Sequence, residues 1–181
     1  MRIEPAEAGD VDALADAWVT LAAEQRAHGS HLHADRNRQR IRESMAHHVV
    51  DGSCLLARPS TEHDDGEADV PQSDAVDDDW GFVGFVTFAV DGDGYEMDVT
   101  RGTVENLFVH PSARGDGVGA ALLSAAEAAL ADRGVDAVAL EVLAANARAR
   151  AFYDREGYDE HRVVVEKRVD VETDTKGNRG L

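Results

Sequence analysis

Glycine stands at positions 115, 117 and 119 of the stretch "FVHPSARGDGVGAALL" (residues 108–123), just after Arg114 and just before an apolar, helix-like run. Glycines this close together let main-chain amides approach a bulky anion, and the helix N-terminus behind them carries part of a positive charge. The chemistry on offer is phosphate binding, and three loop types compete for it. A triphosphatase P-loop needs a lysine after its last glycine to reach the terminal phosphates. Ala120 and Ala121 follow Gly119, so that type is excluded. The dinucleotide fingerprint is formally met by Gly115, Gly117 and Ala120, but its first glycine should follow the strand almost at once. Here Pro111 to Arg114 intervene. Its ribose-binding acid belongs at the far end of the next strand; Asp136 precedes that strand and Glu141 lies inside it. The third pattern, Arg-x-x-Gly-x-Gly after a strand ending in Val-x-Pro, is met by Arg114, Gly117 and Gly119 without adjustment.

A second group lies downstream. "NARARAFYDREGY" opens on Asn146, a helix N-cap residue type, carries Tyr153 seven residues later and ends in Glu156, Gly157 and Tyr158. A phenol with its usual pKa of ~10 is protonated at neutral pH and able to donate. Upstream, "GTVENLFVH" places Glu105 in a strand, where alternation predicts one shared face for Glu105, Leu107 and Val109. An unpaired acid among apolar neighbours is costly unless a pocket opens beside it.

With the Arg114–Gly119 loop and the Asn146–Tyr158 run together, the chain resembles the GNAT superfamily of N-acetyltransferases, from about residue 2 to residue 169. The resemblance implies a mixed α/β fold, a largely antiparallel sheet splayed at the cofactor site and flanked by helices. It implies acetyl-coenzyme A as co-substrate, with no metal. The pyrophosphate would be wrapped by the loop of Arg114, Gly115, Asp116, Gly117, Val118, Gly119 and Ala120, to which Arg114 adds its charge. The strand of Leu107, Phe108 and Val109 would pair with the pantetheine arm through free backbone groups. Asn146 would hold that arm or cap its helix, with Ala149 and Phe152 beside it. Tyr153 would protonate the leaving thiolate while its neighbour Phe152 packs in the core. Glu105 would take the acceptor's proton, directly or through water. The reaction implied is direct acetyl transfer, in a ternary complex, to a small polyamine-like amine or a protein amino group. A non-catalytic acyl-coenzyme A sensor of the same fold is the alternative, and a homodimer is compatible with the family.

The elements needed to position these groups can be read from periodicity. "RIEP" reads as a strand; Val11, Leu14, Trp18, Leu21 and Ala22 follow at helical spacing behind Asp10 as N-cap. A second helix is predicted from about residue 35 to 48, with Arg36, Arg38, Arg40 and Arg42 spread around it, and strands over 53–59, 80–90 and 102–110. "VDAVALEVL" (135–143) reads as a central strand covered on both faces, and "YDEHRVVVEKRV" as a last strand. Residues 60–79 hold nine acids and no lysine or arginine, which predicts a mobile surface insertion in a single domain spanning 1–169. Residues 91–94, "DGDG", signal a turn, and 170–181 form a tail.

Charge narrows the partners. The chain has 36 acids against 18 arginines and lysines, a net −18, with Lys167 and Lys176 its only lysines. Such a surface repels nucleic acid and anionic membranes, and concentrated salt screens its self-repulsion. This composition resembles that of proteins from salt-accumulating halophiles. The acidic N-terminus and the lack of a long apolar run predict a cytoplasmic protein, and the lone Cys54 leaves no internal disulfide. His28, His31 and His33 lie between the first two helices in a pattern insufficient for a metal site.

Overall fold

The computed structural model describes residues 1–60, 80–92 and 97–169. The acidic insertion beyond Ser60, the second half of the residue 91–94 turn and the tail from residue 170 lie outside the described residues. Five strands form one sheet in chain order: β1 (Arg2–Pro5), β2 (Cys54–Arg58), β3 (Gly84–Val90), β4 (Arg101–Val109) and β5 (Ala137–Leu140). The first four run antiparallel, and β5 lies parallel to β4.

Helices α1 (Val11–Arg26) and α2 (Arg38–Val50) cover one face of the sheet; α3 (Val118–Ala131) and α4 (Ala147–Arg155) serve the other. Leu14, Trp18 and Met45 pack with Leu56, Phe85 and Phe108 on the first face. Leu122, Leu123 and Leu130 pack with Val86, Phe88 and Val104 on the second. The apolar spacing of α1 buries Val11, Leu14, Ala15, Trp18 and Ala22 along one stripe, as a 3.6-residue period requires. Arg38 and Arg42, one turn apart, reach Asp16 and Asp12 at 2.6 Å and so hold α2 against α1.

Three expectations are corrected. Asp10 precedes α1 in helical rather than extended backbone and makes no side-chain cap. Its carboxylate instead accepts from Glu7 N–H at 2.8 Å and from Arg58 at 2.7 Å. The run at 135–143 is not central: β5 holds only four half-buried residues and ends the sheet. The run at 158–169 forms no strand, and Val163, Val164 and Val165 are exposed. β-Branched residues favour a strand only where a neighbouring strand receives them, and among the described residues none does.

Candidate active site

The site is built around an interruption in β4. Val104 pairs with Phe88 and Asn106 with Thr87, so Glu105 is an extra residue with no partner on β3, a β-bulge. The bulge resets the alternation. Gly102 and Val104, then Leu107 and Val109, face α3, whereas Asn106 and Phe108 face α1. Glu105 reaches His48 of α2 and therefore lies on the α1–α2 face, opposite Leu107 and Val109. Sharing of one face by these three residues is thus corrected. A polar chain seats the bulge: Trp18 Nε1 donates to Asn106 Oδ1 at 3.0 Å, and Asn106 Nδ2 donates to the fully buried Thr87 Oγ1 at 2.8 Å.

The bulge also marks where the sheet opens. β5 pairs with β4 from Arg101 to Val104 and no further. Residues 105–109 therefore have β3 on one side and no strand on the other among the described residues. Of the carbonyls there, Val109 O accepts from Arg114 Nε at 2.7 Å.

Beyond the strand comes the glycine loop. Gly115 and Gly117 have φ values of +100° and +79°, backbone that side-chain-bearing residues rarely adopt. Gly117 is the N-cap of α3, and no side chain caps that helix. The first amide of the helix to find a backbone acceptor is Ala121 N–H, on Gly117 O at 3.0 Å. The amides of Gly115, Asp116, Gly117, Val118, Gly119 and Ala120 find none among the described residues. These six donors, three just ahead of and three inside the first turn of a helix with partial positive charge, form a concentrated anion cradle. A β-carbon on Gly119 would meet the Phe152 ring at 3.5 Å and Val109 Cγ2 at 3.6 Å, so loop, open strand and α4 converge there.

The Arg114 guanidinium beside this loop is paired with Glu24: its Nη2 lies 3.0 and 2.7 Å from the two carboxylate oxygens, tying the end of β4 to α1.

α4 starts as anticipated: Asn146 Oδ1 accepts from Ala149 N–H at 3.1 Å, and Gly157, φ +90°, ends the helix turn. Phe152 and Tyr153 are not divided between core and cleft. Both pack against the α3-side core, with ring centroids 5.1 Å apart, and Tyr153 in turn meets Tyr158 edge to face, with ring centroids 5.9 Å apart. Burial pushes the Tyr153 phenol above its ordinary value. Glu105 moves the other way: a hydrogen bond from His48 holds its carboxyl below the usual range against the opposing effect of burial. Tyr153 thus packs on the α3 side of the sheet and Glu105 lies on the α1–α2 side.

His48 was passed over in sequence because its partner lies 57 residues away; its neighbour His47 offered the same residue type with no spacing to choose between them. Among the described residues no group of three or more metal-ligating side chains occurs, and no helix is long and apolar enough to cross a membrane. His31, between the first two helices, lies 3.0 Å from Glu166.

A model of the acetyltransferase (GNAT) family matches residues 57–158, more than half of the chain, including β4, the glycine loop and α4. The chain belongs to this family. Its GNAT fold is shared with a GCN5-related N-acetyltransferase from Ralstonia eutropha, at a TM-score of 0.64 and 19% identity, over 92% of this chain and 97% of that one. An integron cassette protein from the mobile metagenome of Cole Harbour Salt Marsh superposes at a TM-score of 0.58 and 22% identity, over 93% and 91%. A mycothiol acetyltransferase from Beutenbergia cavernae is 42% identical over 76 residues, which are 38% of this chain and 26% of the relative. The chain thus matches about a quarter of that relative's length.

Proposed function

We propose that this GNAT protein is an N-acetyltransferase carrying the acetyl group of acetyl-coenzyme A to a primary amine in a ternary complex. The observation that carries the reading is the run of six unpartnered amides from Gly115 to Ala120, set beside a strand edge with no ladder partner from residue 105 to 109. A pyrophosphate fits the first, and the amide-bearing pantetheine arm fits the second. Acetyl-coenzyme A supplies the activated thioester; the rest of the work falls to the chain.

Glu105 holds a negative charge at neutral pH and draws a cationic amine toward the opening of the sheet. It takes one proton from the ammonium and so frees the lone pair that bonds to the thioester carbon; the second proton, shed as the amide forms, replaces the one that Tyr153 gives to the sulphur. The amides of the open strand face the developing oxyanion, where one donor is worth roughly 3–4 kcal/mol of barrier. Tyr153, kept protonated by burial, supplies the proton that the departing sulphur needs. Cys54 takes no part: it is buried in β2, and burial pushes its thiol up to about 12, so it offers no thiolate for an acyl-enzyme.

The acceptor is a small, polyamine-like amine or a protein amino group. A small acceptor agrees with the mycothiol acetyltransferase relative, although the match leaves most of that protein uncovered. Titration calorimetry with acetyl-coenzyme A in molar potassium chloride, with NAD as control, tests the cofactor. Binding of acetyl-coenzyme A alone is expected. A folded sample that binds neither would overturn the reading at its centre.

A further inference from the structure

The proposed base is not free-standing. Glu105 Oε2 lies 2.9 Å from His48 Nε2, and His48 Nδ1 lies 2.8 Å from Ser53 Oγ. His48 is only 12% exposed on its side chain and Ser53 is 4% exposed. Ser53 Oγ is also 3.4 Å from the carbonyl of His48. These distances fix the direction of the hydrogen bonds. A carboxylate only accepts, so Nε2 carries the proton at that contact. The Ser53 hydroxyl donates to Nδ1 when the ring is neutral. When the ring is charged it accepts from Nδ1–H and turns its own hydrogen to the His48 carbonyl. In either arrangement Nε2–H stays on Glu105.

Resting on the proposed role of Glu105, we propose that His48 is the positioning residue of that base. It secures Oε2 on the α2 side and leaves Oε1 as the atom that takes the acceptor's proton. The bulge makes such a clamp necessary. A residue without a partner on β3 has its main chain less constrained than its neighbours, Glu105 retains 42% side-chain exposure, and among the described residues His48 is the carboxylate's one ion-pair partner. At the transfer step the N–H bond of the acceptor breaks and an O–H bond forms at Glu105 Oε1. The Nε2–H bond stays whole and its hydrogen bond to Oε2 persists.

The surrounding charges leave the clamp intact. Asp91, which also acts on Glu105, is held by Arg101 and by Thr103 Oγ1 at 2.6 Å. Beyond His48 a cleft of about 320 Å³ is lined by Ser44, His47, Asp51 and Arg133. Arg133 is occupied there, donating to the carbonyls of Asp51 and Gly52 at 3.1 and 2.8 Å. His48 and Ser53 line the same cleft.

The clamp has a signature that separates positioning from electrostatics. His48 makes Glu105 a weaker base, since its hydrogen bond favours the carboxylate. If His48 acted through charge alone, its removal would strengthen the base and raise turnover. A positioning role demands the reverse. The experiment follows the Glu105 side-chain carboxyl carbon by NMR through a pH titration, assigned by its loss in Glu105→Gln, in wild type, His48→Ala and His48→Gln. Histidine ¹⁵N spectra report the protonation of Nε2, and acetyl-coenzyme A turnover is read with spermidine as probe amine. His48 Nε2 is expected to be protonated throughout the titration. The Glu105 midpoint should move up in His48→Ala and return in His48→Gln, whose amide N–H replaces the ring donor. Turnover should fall at least tenfold in His48→Ala and recover in His48→Gln, with acetyl-coenzyme A affinity unchanged in both. An identical Glu105 titration in wild type and His48→Ala overturns the clamp, as does turnover that rises in His48→Ala. Wild-type turnover in Glu105→Gln instead overturns the role of Glu105 itself, a result distinct from either.

Discussion

Gly117 and Gly134 provide a matched pair for testing the anion cradle. Both have left-handed backbone, at φ +79° and +80°, and a β-carbon on either meets nothing within 4 Å. They sit at opposite ends of α3: Gly117 is its N-cap and Gly134 lies just past its C-terminus. Replacement by alanine at either place costs about 1–2 kcal/mol for left-handed backbone in an L-residue. For a domain of this size each kcal/mol lowers Tm by about 2–4 °C, so both variants should melt about 2–8 °C early. Only Gly117→Ala puts a methyl group among the six unpartnered amides. A hydrogen bond to a charged group is worth roughly 1.5–3 kcal/mol, and losing one such contact weakens binding about 10- to 150-fold. The assay pairs thermal unfolding with calorimetric titration of acetyl-coenzyme A. Matched melting temperatures with affinity lost in Gly117→Ala alone are expected. Equal affinities in the two variants would refute the cradle, because the backbone cost is the same in both.

Tyr153→Phe should lower turnover at least tenfold while acetyl-coenzyme A affinity survives. Because the phenol's pKa is raised by burial, the wild-type rate should hold through mildly alkaline pH and fall only above 10, as the donor is lost; wild-type turnover in Tyr153→Phe would exclude the acid role. Glu105 has a lowered folded pKa, so its ionised form contributes stability above the ordinary value and loses it as pH falls through the folded one. The stability gap between wild type and Glu105→Gln, measured by urea unfolding, should therefore be present at pH 7 and close as pH drops below 4.5. Cys54, 1% exposed and with its thiol pushed up to about 12, should resist iodoacetamide at pH 8 until the protein unfolds. Mass spectrometry during a urea titration reads this directly, and rapid alkylation of the native protein would contradict the packing of β2.

The parts of the site legible from sequence are those decided over a few residues. Glycines at 115 and 117 announce positive φ because no other residue tolerates it cheaply, and Asn146 caps the helix that starts beside it. The parts that escaped are decided by residues far apart in the chain. Arg114 looked like a cation for phosphate, but Glu24, 90 positions earlier, holds it. The segment at 158–169 has strand composition, yet strand formation depends on a neighbour that composition does not describe. Glu105 is the most instructive case. Assigning its face by alternation assumes an unbroken pleat, and the pleat breaks at this residue, because Asn106 pairs with Thr87 and Val104 with Phe88 and Glu105 is left between them. Continued regularly from Val104, the strand would have sent Asn106 and Phe108 to the α3 side and Leu107 to the α1 side; the extra residue at 105 reverses all three and seats Asn106 under Trp18. The same break coincides with the last pairing of β4 to β5 at Val104, so the Glu105 carboxylate, turned toward α2, stands where the unpaired edge of 105–109 begins.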